Sequence, residues 1–252
     1  MKKTYISYIL LMIGILSLPV IAIYYFSLAQ NQSADVEAFV QIPVRIAQPT
    51  PTPIVQLNQS ILHNVPFTSH APLAEWNNDI FQYACEEASL LMAMHWVEEK
   101  PLSVEKARVE ILAMAEFQNK KTGSFYDTSA ADTAQLMRDY FNYQDIKVQQ
   151  NIDTDDIKTE LFRGNLVIVP VNGRIVRNPF FTSPPPAHMF VVVGDDADTK
   201  EFIVNDPGTQ HGQMFHYAEN VLNAGLQDYP TGRGEPITEV HKVMIVIKPL
   251  AI

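Results

Sequence analysis

Apolar residues are spaced in two ways along this chain, and the change falls near residue 165. Before that point they recur at the intervals of helices, and after it they form short continuous runs typical of buried strands. In the stretch YACEEASLLMAMHW, residues 83–96, apolar side chains would occupy nearly every side of a helix. A helix of this kind is buried in the middle of a domain.

Capping residues and apolar runs predict the other elements. Ser103 is placed to cap a helix that ends near Asn119, and Thr128 or Ser129 to cap one that ends at Phe141. Strands are predicted at 63–68, 146–150, 165–171, 188–194, 201–205 and 242–248, with short helices at 154–162 and 217–224. Because helices dominate the first half and strands the second, the sequence predicts an α+β fold. In it, an antiparallel sheet packs against the buried helix.

The first 60 residues differ from the rest. Lys2 and Lys3 precede a run at 4–29 that contains no charged residue, and this is long enough for a transmembrane helix, which needs about 20 residues. The lysines place the N-terminus in the cytoplasm and the remaining chain outside. A cleavable signal peptide is the alternative, since Ser27 and Ala29 are small residues at the positions that a signal peptidase reads. The composition of residues 30–60 predicts a proline-rich extracytoplasmic linker, and residues 61–252 are predicted to form a single folded domain.

Composition excludes several classes of function. The formal net charge of -10 argues against nucleic-acid binding, because phosphates would be repelled. A single cysteine permits no internal disulfide and no zinc site built from several thiolates. The seven histidines show no spacing typical of a metal site. We therefore expect no metal and no cofactor.

That single cysteine, Cys85, begins the buried helix. Unpaired N–H groups and the helix dipole favour a thiolate there, whereas Glu86 and Glu87 oppose its ionisation. A free cysteine is also commonly just a small buried hydrophobic residue. An unpaired thiol is unusual in an exported domain, which favours a reactive role. A cationic partner is then required to offset the two glutamates.

A hairpin in the second half supplies such a partner. The predicted strands HMFVVVG and EFIVN are joined by DDADTK, a turn-like segment. With the turn centred near Ala197, Val191 lies opposite Ile203 and His188 lies opposite Asp206. A carboxylate beside an imidazole orients the ring and supports its cationic form. Taken singly, His188 is also typical of a strand-end histidine and Asp206 of a turn residue.

The segments VPFTSHAP, CEEASLLMAMHW, HMFVVVGDD and IVNDPG together resemble the C39-like cysteine peptidases. The resemblance extends from Val65 to about Val246. It implies a papain-like cysteine peptidase fold and a thiol hydrolase. In that mechanism Cys85 attacks a peptide carbonyl, His188 serves as base and then acid, and Asp206 orients His188.

The resemblance also implies a glutamine upstream of the cysteine that helps to bind the oxyanion. This chain departs from that pattern, because Asp79 stands six positions before Cys85 and cannot donate when ionised. His70, in the segment TSHAP, and Gln82 are the two alternatives for the donor. The proline-rich loop PFFTSPPPA before His188 is either a wall of the substrate site or an ordinary surface loop.

We therefore expect a membrane-anchored, extracytoplasmic thiol hydrolase that cleaves peptide or amide bonds of a peptide or protein substrate. It would be secreted if the N-terminal segment is cleaved. Two alternatives remain open. One is a non-catalytic module that binds peptides or cell-wall fragments, and the other is an acyl transferase of the transglutaminase type, which uses the same three residue types.

Overall fold

The computed structural model of this chain describes residues 59–250. Its helices are α1 (Asp79–Gln82), α2 (Cys85–Val97), α3 (Val104–Thr122), α4 (Ala130–Phe141), α5 (Thr154–Phe162), α6 (Gly173–Val176) and α7 (Glu219–Gly225). Its strands are β1 (Ile61–Leu62), β2 (Ile146–Gln150), β3 (Leu166–Val171), β4 (His188–Asp196), β5 (Glu201–Asn205), β6 (Phe215–Ala218) and β7 (Val243–Ile247). The predicted anchor at 1–29 and most of the predicted linker lie outside these residues. Within the described range, no helix is both long enough and apolar enough to cross a bilayer.

All strands of the described residues join one antiparallel sheet in the order β2-β7-β3-β4-β5-β6, with β1 paired to β4. Side chains of alternating residues in β3, β4 and β7 enter two separate apolar clusters, one on each face of the sheet. Helices α2 and α4 cover one face, and α5 and α7 the other. The predicted α+β fold with an antiparallel sheet is confirmed.

The buried helix is present as predicted. Residues of α2 are apolar on nearly all sides, and the helix packs against both β4 of the sheet and α3. The predicted caps are also found. The Ser103 hydroxyl accepts from the Lys106 N–H at the start of α3, and the Ser129 hydroxyl from the Asp132 N–H at the start of α4.

Two local predictions were wrong, and a short helix was missed. Only Ile61–Leu62 forms a strand near the start of the domain, and residues 63–68 do not. The segment predicted as a helix from residue 217 begins instead as strand β6, and α7 follows it. Helix α1 was not among the predicted elements. It is only one turn long and is capped by Asn78, whose side chain accepts from the Ile80 N–H.

Candidate active site

His188 and Asp206 are in contact, as predicted. His188 is the first residue of β4, and Asp206 directly follows the last residue of β5. The His188 Nε2 and Asp206 Oδ1 atoms are 2.6 Å apart, and both side chains are buried. An ionised carboxylate only accepts hydrogen bonds, so Nε2 carries the proton. The other ring nitrogen, Nδ1, is then the one available to a nucleophile.

Three further donors hold Asp206 in place. Its Oδ2 accepts from Asn178 Nδ2 and from the Tyr217 hydroxyl, each at 2.9 Å, and Oδ1 also accepts from the Gly208 N–H at 3.0 Å. Burial alone would raise the pKa of Asp206, but His188 and these hydrogen bonds hold the pKa below its usual value. The carboxylate is therefore ionised and fixed in orientation.

The contact forms in a different register from the one predicted. Val191 pairs with Asn205 rather than with Ile203, and the register shifts by a β-bulge between Val192 and Gly194. On its other side, His188 pairs with Val171 of β3. Asp206 thus reaches the imidazole from just beyond the paired part of β5. The predicted partners are correct, but the direct cross-strand pairing was wrong.

Cys85 lies at the start of α2, as predicted, and its side chain is buried. Its thiol donates a hydrogen bond to Glu86 Oε2 over 3.1 Å. Among the described residues, no hydrogen bond joins Cys85 to His188. Burial raises the pKa of the Cys85 thiol well above its usual value, and the charge of Glu86 raises it further. The predicted opposition of the glutamates to ionisation is therefore confirmed in direction.

Three carboxyl groups, those of Glu86, Glu87 and Asp127, lie near Cys85. Glu86 Oε1 accepts from the Thr128 N–H at 3.0 Å and from the Tyr229 hydroxyl at 2.8 Å. Glu87 Oε1 accepts from Gln118, whereas Glu87 Oε2 is buried without a partner. Burial and the nearby Glu86 raise the pKa of Asp127 to about 7. Burial likewise raises the pKa values of both glutamates.

Cys85 and His188 line the same cleft, which has a volume of about 640 Å³. The proline-rich loop before His188 forms part of its wall through Phe181, Pro185 and Pro186. Phe181 also packs edge-on against the His188 ring, with ring centroids 5.3 Å apart. The segment from Asn178 to His188 therefore contributes a partner of Asp206, the cleft wall and the imidazole.

Both candidate oxyanion donors also line this cleft. His70 is buried, its ring packs edge-on against Trp76, and its Nδ1 has no hydrogen-bond partner. Burial, with a smaller contribution from His188, lowers the pKa of His70 to about 3, so the ring is neutral at neutral pH. Gln82 is exposed, and its amide already donates to the Trp76 carbonyl at 2.9 Å. Asp79 accepts from the Tyr126 hydroxyl and is no donor.

Several residues of the site were not found from the sequence. Asn178 and Tyr217 contact Asp206 but lie far from it along the chain, and neither belongs to a recognisable motif. Asp127 and Tyr229 reach the Cys85 side from loops. If residues 215–218 had been predicted as a strand, the alternation of inward and outward side chains would have indicated that Tyr217 points into the protein. Within residues 59–250, no three His, Cys, Asp or Glu side chains are arranged to hold a metal ion.

The model of the Peptidase_C39 like family matches residues 62–230, which is more than half of the chain. A solved structure described as a C39-like peptidase from Bacillus anthracis is 14% identical, covering 75% of this chain and 98% of that one, with a TM-score of 0.44. Xylellain, a cysteine protease from Xylella fastidiosa, is 15% identical over 80% of this chain and 91% of its own, also with a TM-score of 0.44. No curated protein matches the sequence.

Proposed function

We propose that this chain, which belongs to the Peptidase_C39 like family, is a cysteine peptidase with Cys85, His188 and Asp206 as its catalytic triad. One observation carries the proposal: a 2.6 Å hydrogen bond between His188 and Asp206 beside a cleft that Cys85 also lines. The arrangement provides a nucleophile, a base and a group that orients the base. We also propose that the fold is papain-like.

The proposed reaction follows from these positions. His188 Nδ1 accepts the proton of Cys85, and the thiolate attacks the peptide carbonyl carbon. The imidazolium then donates that proton to the leaving amine, which leaves an acyl group on sulfur as a thioester. A water molecule, deprotonated by His188, hydrolyses the thioester and regenerates the thiol. Asp206 fixes the tautomer and stabilises the imidazolium throughout.

We propose that His70, rather than Gln82, completes the oxyanion hole with the backbone N–H of Cys85. The His70 ring is buried beside the cleft and its Nδ1 has no partner, whereas Gln82 is exposed and one of the two N–H donors of its amide is engaged with Trp76. Removing one oxyanion donor typically lowers kcat by about 100-fold or more. His70→Ala should therefore lower kcat by about 100-fold, and Gln82→Ala should change it by less than about 3-fold. Equal losses in the two variants would reject the assignment.

Two further cavities adjoin the cleft and support a peptide or protein substrate. One of about 400 Å³ shares Trp76, Phe181 and Gly208 with the cleft, and the other, of about 430 Å³, shares Asp127 and Pro186. Adjoining cavities of this kind can accept side chains of a peptide next to the scissile bond.

The proposed location rests on the sequence of residues 1–60. We propose that the uncharged run at 4–29 anchors the protein, with the proline-rich linker and the peptidase domain outside the cytoplasm. An intact anchor predicts that the full chain stays in the membrane fraction during alkaline carbonate extraction. It also predicts that protease added to spheroplasts digests the domain. Release of a shortened chain into the medium would instead indicate a cleaved signal peptide.

The test of activity uses the full chain and Cys85→Ala on a mixture of peptides, with mass spectrometry of the products. Wild type should produce new peptide termini, and Cys85→Ala should produce none. Binding of peptides by both proteins without cleavage would favour the non-catalytic module, which the hydrogen bond of Cys85 to Glu86 also supports. Release of ammonia on addition of an amine would identify acyl transfer instead.

A further inference from the structure

Glu86 is the centre of a closed hydrogen-bond network beside the nucleophile. Its side chain is buried, with 1% of its surface exposed. It accepts hydrogen bonds from the Cys85 thiol at 3.1 Å, the Tyr229 hydroxyl at 2.8 Å and the Thr128 N–H at 3.0 Å. These donors come from three separate segments of the chain. The carboxyl group is thus held in a built site, and one of its oxygens contacts the sulfur atom.

The charges around Glu86 are mostly negative. Glu87 lies in the same turn of α2, and Asp127 precedes the loop residue that donates to Glu86. The other titratable groups nearby are Tyr229, which donates to Glu86, and His188, His70 and Arg233, which line the same cleft as Cys85. No Lys or Arg side chain of the described residues forms a salt bridge or hydrogen bond with Glu86. Burial therefore raises the pKa of Glu86 despite its three donors.

This geometry limits when Cys85 can ionise. A thiolate at 3.1 Å from an ionised Glu86 would place two like charges side by side in a buried site. A protonated Glu86 removes that repulsion, because its O–H becomes a donor to the sulfur. The protonation state of Glu86 thus decides whether a Cys85 thiolate paired with a His188 imidazolium is favourable.

Building on the proposed function, we propose that Glu86 controls the proton on Cys85. While ionised, Glu86 holds Cys85 as a neutral thiol that is bonded away from His188. When Glu86 takes up one proton from solvent, its O–H donates to the sulfur, and the thiol proton moves to His188 Nδ1. No other group is consumed and no electrons are transferred. The enzyme is then active only where this carboxyl group is protonated.

The signature is an inverted pH dependence of thiol reactivity. An ordinary thiol reacts faster with iodoacetamide as pH rises, because the thiolate fraction increases. Cys85 should instead react faster as pH falls through the range in which Glu86 takes up its proton, a range that burial moves above the usual one for a glutamate. Because Cys85 is the only cysteine in the chain, the rate of label incorporation reports on this site alone.

The experiment compares the full-length wild type with Glu86→Gln and Glu87→Gln. The amide of Glu86→Gln carries no charge, so alkylation at pH 7.5 should become about 10-fold faster or more and lose its inverted pH dependence. Glu87→Gln is the matched control, because Glu87 is a buried neighbour that accepts a hydrogen bond from Gln118 rather than from the thiol. Its profile should keep the inverted shape. Superimposable profiles for wild type and Glu86→Gln would overturn the proposal.

Tyr229→Phe provides an independent variant in case Glu86→Gln does not fold. It removes one donor to the ionised carboxylate, so Glu86 should hold its proton to higher pH and the wild-type profile should move upward by a measurable fraction of a pH unit. An unchanged profile would count against the proposal. Peptide hydrolysis is measured in parallel. If the alkylation profile changes but no peptide is hydrolysed, the role of Glu86 is supported and the peptidase function is rejected. If Cys85-dependent hydrolysis occurs and the alkylation profiles do not change, the peptidase function is supported and the role of Glu86 is rejected.

Discussion

The two sides of the cleft differ in the charge that they stabilise, because the His188 side favours an ionised carboxylate and the Cys85 side favours a neutral thiol. On the His188 side, Asp206 is surrounded by donors from His188, Asn178, Tyr217 and Gly208, and its pKa is lowered. On the Cys85 side, the thiol itself is one of the donors, and burial beside Glu86 raises its pKa. The proposed base is therefore oriented in advance by hydrogen bonds, whereas the proposed nucleophile is held in its neutral form. The comparison teaches that a prepared base alone does not activate a buried thiol.

The largest effect is expected from breaking the His188 side with Asp206→Asn. The amide keeps the size of the carboxyl group but loses its charge and favours the wrong tautomer, so kcat should fall by about 10²- to 10⁴-fold. Steady-state hydrolysis of a cleaved peptide measures this. Asp195→Asn is the control, since Asp195 is buried in the same hairpin but does not line the cleft. Similar losses in both variants would show a general effect on folding.

A smaller effect is expected from displacing the imidazole with Gly208→Ala. A Cβ at this position would lie 2.2 Å from Phe181 Cζ and 2.9 Å from His188 Cε1. Both rings must shift, so kcat/KM should fall by about 10-fold or more. Gly123→Ala is the matched control. It has φ of +82° and no neighbour within 4 Å, so it should lose about 1–2 kcal/mol of stability but no activity.

The smallest effect concerns stability on the Cys85 side. Burial raises the pKa of Glu87 well above its usual value, so the folded state binds this proton more tightly than the unfolded chain does. The stability from protonated Glu87 is complete below pH about 4.5 and is lost as pH rises through the folded-state value.

Glu87→Gln should therefore be more stable than wild type at pH 8, by about 1 kcal/mol or more, and nearly equal to it at pH 4. Thermal unfolding at the two pH values measures the difference. A constant difference between the variants, independent of pH, would show that Glu87 does not change its charge in this range.

Part of this site could be predicted from the sequence because local signals determined it. The apolar surroundings of Cys85 predicted a buried helix, and a turn rich in aspartate predicted the hairpin that brings His188 near Asp206. The register was wrong because a β-bulge adds a residue that no turn rule anticipates. Gly194 marks the place, since a Cβ there would lie 2.5 Å from the Ile61 carbonyl oxygen of β1.

Other features depend on contacts between distant segments and left no local pattern. The predicted strand at 63–68 did not form because pairing with β4 ends at Leu62, apart from one hydrogen bond from the His63 N–H to the Val193 carbonyl. Asn178 and Tyr229 contribute single hydrogen bonds from loops, and their partners are 28 and 143 residues away. Only the tertiary structure brings these groups together. The negative effect of Glu86 on Cys85 was predictable because the two residues are adjacent in the chain.

The segment from Asn178 to His188 joins the wall of the cleft to the proposed catalytic base. It begins with a residue that holds Asp206, continues through the cleft wall at Phe181 and Pro185, and ends with the imidazole itself. A ligand that displaces Phe181 or Pro185 would therefore also shift Asn178 and His188, the two ends of this short segment. In the proposed mechanism, altering this loop to accept a new substrate side chain would also move the base, so substrate selectivity and turnover would change together.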